Sequence, residues 1–173
     1  DAQVVAEEAD PTATPPIYGT DAEKWEAAKE AFNTLKNSSG ALASIGTFYL
    51  ADIAERNGDL AEAKRGFSDA VASLSAQDTL YFLAVERLAY REEKEGKSAD
   101  ALNTLKKLQS KDGFYADYAS YHQARIHLAG GETDRARVLL ERVESDFPQS
   151  SLREDIKERL ALLGRTDKSI EEP

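Results

Sequence analysis

The sequence predicts an all-α fold, a superhelical array of antiparallel helix pairs with a capping helix at each end. Three observations lead to this prediction. Apolar residues recur at spacings of three and four from Thr20 almost to the end of the chain, which is the period of an amphipathic helix. The period-two alternation of β-branched residues that is typical of strands is missing. Three stretches of sequence also align with one another around glycines, which predicts repeated helix pairs.

Residues 1–19 precede the helical pattern and are rich in Ala, Glu, Thr and Pro. Pro11, Pro15 and Pro16 disfavour a helix, because proline lacks an N–H and biases its predecessor towards extended backbone. We therefore predict an acidic, extended leader. Three alternatives stay open for it: a linker, a strap packed on the domain, or an arm that reaches a second copy.

The first helix is predicted over residues 20–39. Thr20 and Glu23 fit a capping box, in which each side chain accepts a hydrogen bond from a backbone N–H at the other's position. One apolar stripe follows, formed by Trp25, Ala28, Phe32 and Leu35. Residues 37–40 are turn formers and end the helix.

Seven further helices follow, separated by glycine-containing turns and, near the end, by Phe147 and Pro148. We predict them near residues 41–57, 60–75, 79–95, 98–109, 114–129, 133–146 and 150–163. A repeat domain therefore spans residues 20–164, with repeats at about 44–77, 82–113 and 117–150, a closing helix at 150–163 and a polar tail at 165–173.

The repeats are anchored on Gly58, Gly96 and Gly131, which lie 38 and 35 residues apart. Glycine permits the left-handed backbone that reverses the chain after a helix. An alanine follows each glycine by five positions and another precedes it by seven, which predicts close helix crossings. These alanines are Ala63, Ala101 and Ala136 after the glycines, and Ala51, Ala89 and Ala124 before them.

This spacing of alanine, glycine, alanine and a bulky residue resembles the tetratricopeptide repeat. The bulky positions are Phe67, Leu105 and Leu140, and Pro148 stands in the closing position. The sequence departs from the family in the spacing between Gly58 and Gly96, which is longer than the family's, and in the lack of an early Trp. The resemblance implies a right-handed superhelix whose concave face binds protein or peptide partners.

A narrower resemblance is to the bacterial YfgM-like family, ancillary subunits of the Sec translocon. It rests on the run 58–63, on Leu88-Ala89 with Gly96-Lys97, on the linker 113–116, and on the sequence FPQSSL at 147–152. It implies a periplasmic domain held at the inner membrane by an N-terminal anchor, with a translocon or periplasmic chaperone as partner. The ending at 147–152 is also similar to BamD-like and CpoB-like repeat proteins of outer-membrane assembly and envelope division.

Composition excludes several other classes of protein. The 173 residues carry a formal net charge of −10 at pH 7, which disfavours nucleic acid as a partner. The chain has no Cys, so disulfides, thiol nucleophiles and zinc-thiolate sites are excluded. No apolar run is long enough for a membrane span. Since the chain starts at Asp1 and contains no Met, we expect an N-terminal segment to have been removed, either by processing or by the choice of the expressed segment. That segment could have been a signal or an anchor.

No catalytic, cofactor or metal site is expected. His122 and His127 are five residues apart, so they lie on different faces of one helix, whereas joint metal ligation needs spacings of three or four. The many carboxylates are explained by solvated helix faces. Gly130-Gly131 lacks the context of a phosphate-binding loop and is interpreted as a helix stop. We therefore predict a protein that is not an enzyme.

The resemblance to tetratricopeptide repeats implies a protein-binding groove along the first helices of the repeats. Within it, Tyr90 and Tyr121 are predicted to be exposed, whereas Phe48, Leu83 and Tyr118 could equally belong to the core. Lys and Asn, which a carboxylate clamp for acidic C-terminal tails requires, are replaced here by Phe48 and Asp52. The twelve groove positions are Ile45, Phe48, Asp52, Arg56, Leu83, Glu86, Tyr90, Lys94, Tyr118, Tyr121, Arg125 and Leu128.

The predicted function is therefore protein–protein interaction in the bacterial cell envelope, associated with translocation or chaperone handover. Two alternatives remain from the sequence: a scaffold of outer-membrane assembly or envelope division, and a self-assembling structural repeat protein with the leader as a swapped arm. The oligomeric state is left open.

Overall fold

The computed structural model describes residues 18–109 and 115–171, with side chains described as far as residue 164. Nearly all of the predicted leader lies outside these residues. Within them the chain forms eight α-helices and no strand. The helices are α1 (Asp21–Lys36), α2 (Ala41–Arg56), α3 (Leu60–Ser73), α4 (Thr79–Lys94), α5 (Ser98–Lys106), α6 (Ala116–Ala129), α7 (Thr133–Asp146) and α8 (Arg153–Glu171).

Each helix packs against the next one in the chain, from α1 to α8, and α2 also contacts α4. This order confirms the predicted all-α array of helix pairs. Contacts between neighbours in sequence are what a solenoid requires, since each unit buries its apolar face only against adjacent units. Of the described part of the chain, no helix combines the length and the apolar character needed to cross a membrane.

Side chains at the helix starts satisfy backbone N–H groups that would otherwise lack partners. The Thr20 hydroxyl accepts from the backbone N–H of Glu23 at 3.2 Å, as the predicted capping box requires. The reciprocal bond differs by one residue, because the Glu23 carboxylate accepts from Gly19 at 2.8 Å. Asp59 caps α3 in the same way, accepting from the N–H of Glu62 at 3.1 Å.

The three repeat glycines are the hinges between paired helices. Gly58, Gly96 and Gly131 have φ of +83°, +76° and +76°. The residue after each hinge donates its N–H back to a carbonyl of the preceding helix, as Asp59 does to Ala54 at 2.9 Å. The chain therefore reverses within three residues at each predicted position.

The predicted alanine crossings are all buried. Ala51 and Ala63 share one hydrophobic cluster, Ala89 and Ala101 a second, and Ala124 and Ala136 a third. The approach is close in the first pair of helices, where a Cβ added at Gly66 would lie 2.7 Å from the Cβ of Ala51. Small residues on both helices are therefore needed at the crossing.

The bounds of α8 and α5 differ from the prediction. The closing helix was predicted at 150–163, whereas α8 starts at Arg153 and continues to Glu171, so most of the predicted polar tail is helical. Its start is delayed because residues 147–152 form the turn after Pro148. It continues because Gly164 alone costs only about 1 kcal/mol and no proline follows before Pro173. At its own C-terminus, α5 ends at Lys106 instead of residue 109.

Candidate protein-binding face

The twelve predicted groove residues lie on three helices, four each on α2, α4 and α6. Their exposure differs widely. Phe48 and Tyr121 are buried, whereas Arg56, Tyr90 and Lys94 are exposed. The half-buried members are Ile45, Asp52, Leu83, Glu86, Tyr118, Arg125 and Leu128.

Tyr121 corrects one prediction, because it was expected to be exposed and only 9% of it is. The closing helix α8 covers it. Arg159 on α8 donates from Nε to the Tyr121 hydroxyl at 2.9 Å, and its guanidinium lies 5.2 Å from the centre of the tyrosine ring. Such a contact holds the last helix against the array, so Tyr121 is part of the packing of α6 on α8.

The choice left open for Phe48, Leu83 and Tyr118 is settled by their contacts. Phe48 is a core residue, with its ring 5.8 Å from that of Phe67. Leu83 and Tyr118 are partly buried and pack against the same cluster, Tyr118 edge-on to Phe82 at 5.3 Å. These residues therefore serve mainly to join the repeats.

Ion pairs connect α2 to α4 on this face. Glu55 lies 3.3 Å from Arg87 and 3.0 Å from Arg91. Asp52, a predicted groove residue, lies 3.6 Å from Arg87 and 2.9 Å from Arg56 on its own helix. Asp52 and Arg56 are thereby engaged within the face and are less available to a partner.

A second ion pair connects α4 to α6. Arg125 donates to both carboxylate oxygens of Glu93, at 2.8 and 2.6 Å. This two-pronged geometry is among the strongest that a surface ion pair adopts. The hydrogen bonds from Arg125 are the main reason why the pKa of Glu93 is lowered from its usual value.

Glu55 and Glu93 were missed by the sequence prediction, although the repeat register contains them. Each lies three residues before its hinge glycine, Gly58 or Gly96. The third unit has Leu128 at the same position, so the pattern of acidic residues stops there. Comparing charges position by position across the repeats would have found both carboxylates.

A cavity of about 400 Å³ opens beside the Glu93–Arg125 pair. Three predicted groove residues line it, Glu86, Tyr90 and Arg125. The structure therefore brings the polar part of the predicted second and third repeat sites together around one cavity. The other lining residues are Arg87, Ala89, Glu93, Leu105, His122 and Ile126.

His122 lies in the wall of this cavity, between two tyrosines. Its ring centre is 4.5 Å from that of Tyr118 and 5.7 Å from that of Tyr121. Burial, aided by the charge of Arg125, lowers the pKa of His122 from 6.5 to about 4. The side chain is therefore neutral near pH 7.

His127 is separate from this site. Its Nδ1 lies 2.7 Å from a carboxylate oxygen of Glu132, just after the third hinge. Among the side chains that the structure describes, no group of three His, Asp or Glu is arranged to hold a metal ion.

Among the twelve predicted groove residues, Tyr90 is the aromatic side chain that is exposed to solvent. It is 42% exposed and borders the cavity. The cations of Arg91 and Lys94 lie 4.9 and 5.3 Å from its ring centre. An aromatic ring held among charges provides contact area with little loss of side-chain entropy, as binding hot spots do.

The fold and this face define a class of protein, a helical-repeat array that presents a mixed aromatic and charged surface. Residues 118–150 match the tetratricopeptide repeat, and this segment corresponds to the third predicted repeat. Together with the helix order, the match supports a tetratricopeptide-repeat protein. No curated protein and no solved structure matches the chain. Tetratricopeptide repeats generally mediate protein–protein interaction and are generally not enzymes.

Proposed function

We propose that this chain is a protein-interaction module of the bacterial cell envelope that binds its partner on the face formed by α2, α4 and α6. The observation that carries the proposal is the exposed Tyr90 at the rim of the cavity between α4 and α6. Tyrosine and arginine are among the residues that carry most of the binding energy at protein interfaces. We propose further that the module is not an enzyme.

Substitution of Tyr90 tests this proposal directly. The protein and its Tyr90→Ser variant are used as bait in an extract of the source organism, and captured proteins are quantified by mass spectrometry. Val138→Ser on α7 is the matched control, since Val138 is 62% exposed and lies outside the proposed face. We expect a partner that the wild type and the control capture and that Tyr90→Ser loses by tenfold or more.

An intact fold of each variant is confirmed by circular dichroism. Equal capture by wild type and Tyr90→Ser would place the binding surface elsewhere. Tyr121 is left unchanged, because its contact with Arg159 makes it part of the packing.

For its place in the cell, we propose the periplasm, with tethering to the inner membrane by a segment N-terminal to Asp1, and association with translocation or chaperone handover. The support is the sequence resemblance to YfgM-like proteins. The coding sequence upstream of Asp1 tests it. An apolar stretch of about 20 residues supports the tether, whereas a lipoprotein cysteine supports the outer-membrane or division scaffold.

Self-association is the second candidate, and the N-terminal end of the array favours it. No described side chain of α1 is fully buried, and Trp25 on this helix and Tyr49 on α2 are both exposed. Such a surface fits a second array stacked end to end. Light scattering at high concentration tests it, and a mass of one chain would reject it.

A further inference from the structure

We infer that the cavity between α4 and α6 is an anchor pocket for a lysine or arginine side chain of the partner, with Glu86 as its counter-ion. The inference rests on the proposed protein-binding function and specifies the chemistry of the partner. It follows from the pairing of charges around the cavity, the character of its floor and the charge of the whole chain.

The positive charges in the wall are already paired. Arg125 is held by both oxygens of Glu93 at 2.8 and 2.6 Å. Arg87 lies 3.3 Å from Glu55 and 3.6 Å from Asp52, both on α2. An incoming anion would have to break one of these pairs, so neither arginine is available to bind one.

Of the two carboxylates in the wall, Glu93 is paired with Arg125, whereas Glu86 is not paired with a cation. The charge of Glu86 acts on the neighbouring phenol of Tyr118, whose pKa is raised by burial and by this carboxylate, and a neutral phenol leaves the carboxylate without a counter-ion. No Lys or Arg of the described residues lies within ion-pair distance of it. A half-buried carboxylate without a cation binds an ammonium or guanidinium group more strongly than an exposed one, because the local dielectric is lower.

The floor of the cavity suits the rest of a long basic side chain. It is formed by Ala89, Leu105 and Ile126, which are all buried. Lysine and arginine combine an aliphatic stem with a charged head, so they gain from an apolar surface next to a carboxylate. The volume of about 400 Å³ admits such a side chain.

His122 engages Arg125 a second time within the wall of the cavity. Its Nδ1 faces the donor Nε of Arg125 at 3.5 Å, which places the proton on Nε2. Nε2 is buried and has no hydrogen-bond partner among the described residues. This donor is enclosed by the fold, so it belongs to the packing of α6 and is not part of the surface offered to a basic side chain.

The charge of the chain favours the same partner at longer range. A formal net charge of −10 attracts basic segments and repels acidic ones. The unpaired carboxylate in the cavity and the net charge of the chain therefore both favour a basic partner.

Binding of small basic fragments tests the inference without knowledge of the partner. The full chain is titrated with N-acetyl-arginine amide, and amide chemical shifts are followed by NMR. We expect saturable shifts centred on residues around the cavity. N-acetyl-citrulline amide, which has the same shape without the charge, should bind about tenfold more weakly or not at all.

Glu86→Gln should lose at least about tenfold of the affinity for N-acetyl-arginine amide. Glu141→Gln on α7 is the matched control, because it removes the same charge from an exposed site and should bind as the wild type does. Undisturbed spectra of both free variants verify the fold. Unchanged binding by Glu86→Gln, equal binding of the citrulline compound, or preferred binding of N-acetyl-glutamate amide would each overturn the inference.

Failure of the anchor pocket and failure of the proposed binding face give different combinations of results. If Tyr90→Ser loses its partner while basic fragments do not bind the cavity, the anchor pocket is rejected and the binding face stands. If fragments bind through Glu86 while Tyr90→Ser captures the same proteins as the wild type, the affinity of the cavity for basic groups stands. The proposed binding face is then rejected, and with it the role of the cavity as an anchor for the partner.

Discussion

Glu93, Arg125 and His122 form one polar cluster in which each member fixes the next. The carboxylate of Glu93 holds the guanidinium of Arg125 on the neighbouring helix. The Nε of Arg125 in turn faces Nδ1 of His122 at 3.5 Å. Since His122 is confined between tyrosine rings, the cluster sets the distance between α4 and α6 at the cavity. These side chains therefore determine both packing and the shape of the proposed site.

Because the pKa of His122 is lowered in the folded protein, we expect a loss of stability in mild acid. In the unfolded chain its pKa is near 6.5, and in the folded protein it is about 4. Between these pH values the unfolded state binds a proton that the folded state does not, so stability falls as pH drops from about 6.5 to about 4. Urea denaturation at pH 7.5, 6 and 5 should show a smaller loss for His122→Gln than for wild type.

The other histidine provides the control for this prediction. His127→Gln still contains His122, so it should retain the His122-dependent loss in the same pH range. A steeper loss in His122→Gln than in wild type would show that the histidine is not held neutral.

The close packing of α2 against α3 at Ala63 can be tested by substitution. It is fully buried against α2, so Ala63→Leu should overpack the crossing and lower the free energy of unfolding by about 1 to 3 kcal/mol. Ala136→Leu should act alike in the third repeat, since Ala136 is equally buried. Ala61→Leu, an exposed position on the same helix as Ala63, should change stability little. Similar stabilities for Ala61→Leu and Ala63→Leu would contradict the register.

The three hinges between helices have nearly the same geometry, whereas the two end helices differ in how many buried residues they contribute. α8 contributes a fully buried Ile156 to the cluster around Leu140 and Val143. α1 contributes no fully buried residue among those described. The sequence predicted a capping helix at each end, and the structure gives the C-terminal one the larger share of the buried core. Repeat arrays need such covers because an open repeat face is apolar.

The adjacent glycines at the third hinge allow a sharp test of the turn. Gly131 has φ +76°, so Gly131→Ala should cost about 1 to 2 kcal/mol even though the added Cβ meets no atom within 4 Å. Gly130 has φ −86° and ordinary contacts, so Gly130→Ala should be neutral or slightly stabilising. Thermal denaturation compares the two. Equal destabilisation by both would contradict the hinge assignment.

The C-terminal cover is tested by Ile156→Ala. Truncation of this fully buried side chain should cost about 2 to 5 kcal/mol by chemical denaturation. Leu162→Ala on the same helix should cost clearly less, because Leu162 is 52% exposed. A cost below 1 kcal/mol for Ile156→Ala would mean that α8 does not close the array.

For the whole molecule, the array could be predicted well from sequence because its signals are local. Hinge glycines, crossing alanines and the helical period each lie within one helix pair, and all three hinges were found at their residues. The candidate face was predicted less completely. Tyr121 is covered by α8 through Arg159, a contact 38 residues away in the chain. Periodicity within one helix carries no information on such a contact.

The cavity could not be predicted for a related reason. It is formed by three helices, and its charge depends on which carboxylates find a partner across the repeats. The repeat register of Glu55 and Glu93 indicates where pairs form, but not that Glu86 is left unpaired. Pairing is decided by the distance between α2, α4 and α6, which the sequence does not encode locally.

The central claim is that the array binds a protein partner on the side of α4 that carries Tyr90. Its most direct test is photo-crosslinking in living cells, with a benzophenone amino acid placed at position 90 or, as the comparison, at position 138. We expect a discrete crosslinked partner from position 90 and none of that identity from position 138. The same partner crosslinked from position 138 and absent from position 90 would contradict it.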